Sequence, residues 1–254
     1  MAKLTILGTG TSTGVPTIGC QCEVCSSTNP HDKRLRTSAL YEDENGRFLL
    51  DCGPDFRQQM LAQPYKPLDA VFISHEHFDH VAGIDDLRSF SYAKELPIYT
   101  NAITAEHLRE RMPYCFVNPS YPGVPKITLH DIDDLTPFSV NDIEITPIRV
   151  IHGRLPILGY RIGQEVAYIT DMSRMPESEF EKLKDLRILV VNALRIEPHR
   201  THQCLDEAVA FAQKVNAERT YFIHMCHDIG FHDEISQKLP INLYFAYDGL
   251  EVEF

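Results

Sequence analysis

Phe72-Ile73-Ser74-His75-Glu76-His77-Phe78-Asp79-His80-Val81-Ala82-Gly83 is the stretch from which the reading of this chain starts. The apolar run Ala70–Ser74 reads as a buried strand. It stops directly in four metal-ligand residue types, His75, His77, Asp79 and His80, within six positions. His75 and His77 lie two apart, so extended backbone sends both to one side. Asp79 and His80 follow where the chain can turn into a helix. One loop can thus offer two ligands to one ion and two to its neighbour. The alternative is a solvated polar loop, and four ligand types at this spacing behind an apolar strand argue against it.

Three later apolar runs also end in a ligand type. Ile145–Ile151 precedes His152-Gly153, Val166–Thr170 precedes Asp171-Met172, and Tyr221–Ile223 precedes His224. Taken singly, His152 could be a surface turn residue, Asp171 a helix cap before Ser173, and His224 a satisfied core histidine. Upstream, Gly19-Cys20-Gln21-Cys22-Glu23-Val24-Cys25 places three thiols at C-x-C-x-x-C spacing. They can converge on one ion, but a closed structural zinc site needs a fourth ligand. His31 is near in sequence. His227, in His224-Met225-Cys226-His227, is the better candidate, since it and His224 could point to different metals; Cys226 is a substitute. The other readings of the cluster are a free-thiol turn or a redox site. Cys52, Cys115 and Cys204 read as ordinary core or helix thiols.

His-x-His-x-Asp-His is the signature of the metallo-β-lactamase superfamily, and Ser74–His80 resembles it without departure. The resemblance implies a four-layered αββα sandwich of two mixed β-sheets and a one- or two-metal hydrolytic site. It implies that His75, His77 and His152 hold one metal, that Asp79, His80 and His224 hold the other, and that Asp171 bridges them. Leu7-Gly8-Thr9-Gly10-Thr11, then Gly14-Val15-Pro16, then the Cys cluster resemble one branch of that superfamily. This branch contains the phosphoribosyl 1,2-cyclic phosphate phosphodiesterase of phosphonate breakdown and a protein of pyrroloquinoline quinone biosynthesis. The likeness implies a structural zinc on Cys20, Cys22, Cys25 and His227. It also implies a proton donor to the leaving group at His202 in Pro198-His199-Arg200-Thr201-His202-Gln203, with His199 as rival. Asp79 is expected to serve catalysis as well as metal binding. One departure is Asn192, where relatives often carry an Asp. The expected cofactors are two divalent ions (zinc or manganese, with iron a further option) and one structural zinc. Arg195, Arg200, Arg154 and Arg88 are phosphate-binding candidates only because guanidinium matches phosphate geometry.

Composition sets the outer bounds. The chain has 254 residues, 43% hydrophobic and 24% charged, ordinary for a soluble globular protein. Lys and Arg number 24 against 36 Asp and Glu, a net charge of −12. An acidic chain repels a polyanion at long range, which argues against nucleic acid as a partner. No apolar run approaches the roughly 18 residues of a membrane span. Seven Cys without a signal-like start, beside 12 His, suggest a reducing, cytoplasmic setting rather than a disulfide framework. The expected partner is a small-molecule phosphodiester, and the family resemblance alone favours a homodimer.

With no linker in sight, residues 1–254 are expected to form one metallo-hydrolase domain, with a zinc-binding loop around 19–31. Strands are predicted at Lys3–Leu7, Ser38–Glu42, Arg47–Asp51, Ala70–Ser74, Ile98–Thr100, Ile143–Val150, Leu158–Ile162, Val166–Thr170, Ile188–Asn192, Thr220–His224 and Asn242–Ala246. Helices are predicted at Phe56–Ala62, Ala105–Arg111, Glu177–Leu183 and His202–Val215, the last from Leu205, Ala208, Val209, Ala212 and Val215 at helical spacing. Glu44-Asn45-Gly46 reads as a hairpin turn, and the four prolines of Pro113–Pro125 as a long loop. The leading function is a dinuclear phosphodiesterase acting on a small cyclic phosphodiester. The alternatives are a tRNA 3′-processing endonuclease, which shares the strand end Leu49–Gly53 but normally adds a tRNA-gripping arm, and a metal-binding accessory protein of cofactor biosynthesis.

Overall fold

The computed structural model describes residues 1–116 and 123–254. Its strands are β1 (Lys3–Gly8), β2 (Ser38–Glu42), β3 (Arg47–Leu50), β4 (Ala70–Phe72), β5 (Leu96–Thr100), β6 (Ile127–Asp131), β7 (Phe138–Val140), β8 (Ile143–His152), β9 (Leu155–Ile162), β10 (Val166–Ile169), β11 (Ile188–Asn192), β12 (Arg219–Ile223), β13 (Leu243–Phe245) and β14 (Leu250–Glu253). They form two seven-stranded sheets, ordered β14-β1-β2-β3-β4-β5-β6 and β13-β12-β11-β10-β9-β8-β7. In the first sheet β14 to β3 pair antiparallel and β3 to β6 parallel. The second repeats the plan: β7 to β10 are antiparallel and β10 to β13 parallel.

Side-chain alternation explains the layering. In β3, Phe48 and Leu50 face the space between the sheets while Leu49 faces the other way; in β4, Ala70 and Phe72 face in and Val71 out. β11 does the same with Ile188 and Val190 against Leu189 and Val191. Both faces of these strands are buried, which is why they read as continuous apolar runs. The inner core joins Phe48, Phe72, Tyr160 and Tyr168 from both sheets. The first sheet's outer face packs on Phe56, Ile84 and Leu108, and the second's on Ala208, Phe211 and Ala212. The result is the expected four-layered αββα sandwich. Each fully buried large side chain contributes about 1.5–3 kcal/mol.

The differences from expectation lie at edges and caps. β6, β7 and β14 were not anticipated; each sits at or beside a sheet edge with some of its residues exposed, so its apolar signal is weak. β8 runs two residues beyond Val150 and ends on His152 itself. The helix expected from Ala105 starts at Ala102, because the Asn101 side chain accepts from Thr104 N at 2.9 Å and caps it. Glu177–Leu183 is a 3₁₀ turn rather than an α-helix. The helix expected from His202 begins at Leu205, where the Glu207 carboxylate accepts from Cys204 N at 2.9 Å. Of the expected loop Pro113–Pro125, Pro113–Phe116 is a short helix, and residues 117–122 lie outside the described ones. The 44–46 turn stands as read: Asp43 Oδ1 accepts from Asn45 N and Gly46 N at 2.7 and 2.8 Å.

Candidate metal centres and active site

Every candidate ligand of the central cluster sits where a strand stops or just beyond. β4 leads into a loop that carries His75 and His77, bent at Glu76, and the short helix Phe78–Val81 then presents Asp79 and His80. His152 is the last residue of β8, Asp171 lies two residues beyond β10, and His224 directly follows β12. Asp171 and His224 both have φ 56°, and Asp51, just past β3, has φ 59°. Left-handed backbone at a non-glycine residue costs free energy and persists only where the surroundings enforce it.

Two groups of ligand atoms form, His75–His77–His152 and Asp79–His80–Asp171–His224, each within 4.8 Å, and a third set, His152–Asp171–His202, overlaps both. His80 Nε2 lies 3.2 Å from Asp79 Oδ2 and 3.3 Å from Asp171 Oδ1. His224 Nε2 lies 3.4 Å and 3.0 Å from the same two oxygens. His75 Nε2 lies 3.0 Å from His77 Nδ1 and 3.8 Å from Asp171 Oδ2. Two ligands about 2.1 Å from a tetrahedral ion stand about 3.4 Å apart, so this spacing suits a shared ion. Asp171 turns one oxygen to each group, as a bridging carboxylate would.

The imidazoles are held from behind. His80 Nδ1 donates to Asp51 Oδ2 at 2.8 Å and His152 Nδ1 to the Thr201 carbonyl at 2.9 Å, which frees each Nε2 to ligate. His75 Nδ1 is 2.9 Å from Ser74 Oγ. Burial opposes a charge on His80, yet Asp79, Asp171 and Asp51 outweigh it and hold its pKa well above the ordinary value. Burial likewise opposes charge on Asp79 and Asp171, but His80 and His224 keep both carboxyls below the usual range. Burial drives His75 the other way, well below its ordinary value. Three buried carboxylates surround His80, its Nε2 is buried without a hydrogen-bond partner, and the donor set of His nitrogens and carboxylate oxygens fits a divalent cation.

His202 lies before its helix rather than on it, in a loop tied down by Gln203 N donating to Met172 O at 2.9 Å. Its Nε2 is 3.2 Å from Asp171 Oδ2, and its Nδ1 is 3.1 Å from that of exposed His199. Burial lowers the His202 pKa to about 4 despite Asp171. Asn192 has a defined part: its amide accepts from Met172 N at 2.7 Å and donates to Met172 O at 3.0 Å, fixing the residue after Asp171.

Cys20, Cys22, Cys25 and His227 converge within 4.8 Å, with His227 Nδ1 3.4 Å from Cys20 Sγ and 3.1 Å from Cys22 Sγ. The hydrogen bond to His227 lowers the Cys22 pKa to about 6, whereas burial raises Cys25 to about 11. His31 is elsewhere, stacked on Tyr247 at 4.2 Å between ring centroids, beside His232 and Asp233. That trio suits a metal poorly: Arg34 Nη2 donates to His232 Nδ1 at 3.3 Å, which leaves the proton on Nε2. Cys226 is outside the thiol cluster, and Cys52, Cys115 and Cys204 are buried as expected. Of the arginines, Arg88 ion-pairs with Asp85, Arg195 donates to the Glu197 and Pro198 carbonyls, and Arg154 and Arg200 are exposed.

Sequence reasoning gave Asp51 no role. It accepts from Ser74 N (2.8 Å), Ser74 Oγ (3.0 Å), Tyr168 OH (3.1 Å) and His80 Nδ1. The available signal was the apolar strand ending in an acid, Leu49-Leu50-Asp51.

The model of the β-lactamase superfamily domain matches residues 46–225. A crystal structure of a new diphosphatase from the PhnP family superposes with a TM-score of 0.92 at 41% identity, covering 100% of this chain and 97% of that one. A Porphyromonas gingivalis protein named octanoyltransferase is 44% identical over 248 residues, 97% of this chain but 50% of that protein. A Bacillus velezensis ribonuclease Z is 28% identical over 158 residues, 57% of this chain and 50% of that protein. The chain thus spans about half the length of these curated relatives. Among the described residues no helix is long and apolar enough to cross a membrane. The match over most of the chain, the two seven-stranded sheets and the His/Asp groups at their ends place the chain in the β-lactamase superfamily.

Proposed function

We propose that this domain hydrolyses a small phosphodiester, with a cyclic phosphodiester of the phosphoribosyl 1,2-cyclic phosphate kind as the leading substrate. His75, His77 and His152 would hold one divalent ion, Asp79, His80 and His224 a second, and Asp171 both; Cys20, Cys22, Cys25 and His227 would hold a structural zinc. The observation that carries the reading is Asp171: one oxygen faces the Asp79–His80–His224 group, and the other lies 3.8 Å from His75 Nε2 and 3.2 Å from His202 Nε2.

A bound ion pair supplies Lewis acidity toward phosphoryl oxygens and lowers the pKa of water toward neutrality. The protein's own part is positional and protic. Asp51, Thr201 and Ser74 orient the ligating imidazoles. His202, at the edge of the cluster, would deliver a proton from Nε2 to the departing oxygen in its protonated form, which burial opposes and Asp171 favours, and His199 contacts it from the solvent side. Divalent ions held by these residues would make the site locally positive within a chain of net charge −12, so an anionic substrate is compatible with the acidic surface.

The relative solved as a diphosphatase favours a second reading, cleavage of a phosphoanhydride with the same residues in the same roles. The octanoyltransferase name belongs to a protein about twice as long, and none of its chemistry is carried over. The test is kcat/KM of metal-loaded protein on 5-phosphoribosyl 1,2-cyclic phosphate, a nucleoside diphosphate sugar, an aryl phosphodiester and a precursor tRNA. A value above roughly 10⁴ M⁻¹s⁻¹ on the first supports the leading reading. The same value on the second moves the assignment to the anhydride. Cleavage of the tRNA alone would overturn both.

A further inference from the structure

Glu76 stands between two candidate ligands yet belongs to neither metal group. Its side chain turns away from the candidate metal groups and toward a helix of the outer layer. The carboxylate is 9% exposed, and its partners all lie on the helix Ala102–Arg111. Thr104 Oγ1 donates to Glu76 Oε2 at 3.3 Å and Arg111 Nη1 donates to the Glu76 backbone carbonyl, while His107 Nδ1 lies 3.2 Å from Glu76 Oε1, in contact but without hydrogen-bond geometry. Positions 104, 107 and 111 follow the i, i+3, i+7 pattern of one helix face.

The helix itself is fixed at the same corner. Asn101 caps it, Ala105 and Leu108 are buried, and the residue before the cap, Thr100, donates Oγ1 to the Ile73 carbonyl at 2.9 Å. A nearly buried carboxylate is costly unless paired, and removing its partners leaves that cost uncompensated. Here the Arg111 bond to the Glu76 carbonyl also fixes the peptide that joins the two histidines.

We infer that Glu76, with His107 and Arg111, is a positioning device that sets the separation and aim of His75 and His77 for metal binding. This rests on the assignment of those histidines as ligands in the proposed function. Hydrogen-bonded groups behind a ligand typically alter metal affinity by about 10–100-fold.

The test is zinc affinity of metal-stripped protein, read by competition with a chromophoric chelator, for wild type, Glu76→Ala, Glu76→Gln, His107→Ala and His107→Gln. Cobalt spectra of the thiolate cluster serve as the internal reference. The expected result is about 10–100-fold weaker binding at the His75–His77–His152 group in the two Ala variants, partial recovery in the two Gln variants, and unchanged binding at the cysteines. His107 is 41% exposed, so its variants keep the test alive if Glu76→Ala fails to fold. Wild-type affinity in His107→Ala and in any folded Glu76 variant overturns the clamp and leaves the proposed function standing. If wild-type protein binds no zinc that His75→Ala removes, the ligand assignment and the clamp fall together.

Discussion

Asp51→Asn is the perturbation whose outcome the structure constrains most. The carboxylate's four contacts are unequal: Oδ1 accepts from Ser74 N alone, and Oδ2 from Ser74 Oγ, Tyr168 OH and His80 Nδ1. A carboxamide keeps the shape but must put its NH₂ on one side. On the Oδ1 side it faces the Ser74 N–H, donor against donor in a buried site, at a cost of about 1–3 kcal/mol. On the Oδ2 side the two hydroxyls can turn and accept, and His80 Nδ1 can accept once its proton moves to Nε2. That second arrangement costs less, but Nε2 is the atom 3.2 Å from Asp79 and 3.3 Å from Asp171, and a protonated nitrogen cannot ligate. The expected result is a folded variant that binds metal about 10–100-fold more weakly at the Asp79–His80–His224 group, or about 1.4–2.7 kcal/mol. The assay is chelator competition alongside thermal melting. Wild-type affinity with an unchanged melting temperature would refute the argument that Asp51 selects the His80 tautomer.

Other outcomes follow from single contacts. His202→Ala should lower kcat on a phosphodiester by about 10²–10⁴ while metal content stays at the wild-type level, and turnover near wild type would remove the proton-donor role. Gly53→Ala should destabilise strongly, because a Cβ there would lie 2.0 Å from the Asp79 carbonyl. Overpacking costs roughly 1–3 kcal/mol and occasionally more, so the melting temperature should fall by about 5–10 °C, and a variant that melts with wild type would contradict the packing. In metal-stripped protein Cys22 should be the thiol alkylated first by iodoacetamide. Its rate should climb with pH through about 6 and then level, because the thiolate is the reactive form; Cys25, near 11, should react only in alkali. Added zinc should suppress the reaction, and faster labelling of buried Cys115 or Cys204 would contradict this.

What the sequence disclosed is what a linear pattern can carry. His75, His77, Asp79 and His80 sit in one loop, and His152, Asp171 and His224 each close an apolar run, so a strand's end marks a candidate ligand without knowledge of its neighbours. Asp51 closes such a run too, but its role depends on β3 lying parallel to β4, which brings residue 51 against residues 74 and 80. The task of Asn192 likewise needs the β10–β11 register that sets it beside Met172. The approach of Glu76 to the helix Ala102–Arg111 was hidden because it is tertiary: the predicted helix Ala105–Arg111 already held His107 and Arg111, but no linear pattern sets it beside residue 76. His202 was legible by position but not by conformation: helical periodicity continues toward it, while the amides of Gln203 and Leu205 donate to the Met172 and Arg195 carbonyls and stop the helix short.

The placement of the cluster follows from the two-sheet plan rather than from either sheet alone. Parallel strands aligned side by side end on the same edge, and loops at carboxyl ends gather functional groups there. The first sheet delivers Asp51, His75, His77, Asp79 and His80 at that edge; the second delivers His152, Asp171 and His224. Neither metal group is complete within one sheet, since His152 closes one and Asp171 with His224 the other. The left-handed backbone at Asp51, Asp171 and His224 shows the cost of turning side chains from strand ends into the seam, of order 1–3 kcal/mol per residue. That cost is borne where hydrogen bonds restrain the turn, as Asn192 does behind Asp171 and Ser74 does at Asp51. An ion bound in this seam would therefore join the sheets as well as act on a substrate, so a loss of metal affinity and a loss of stability should travel together at Asp171 and His224, and separate at surface positions such as His199.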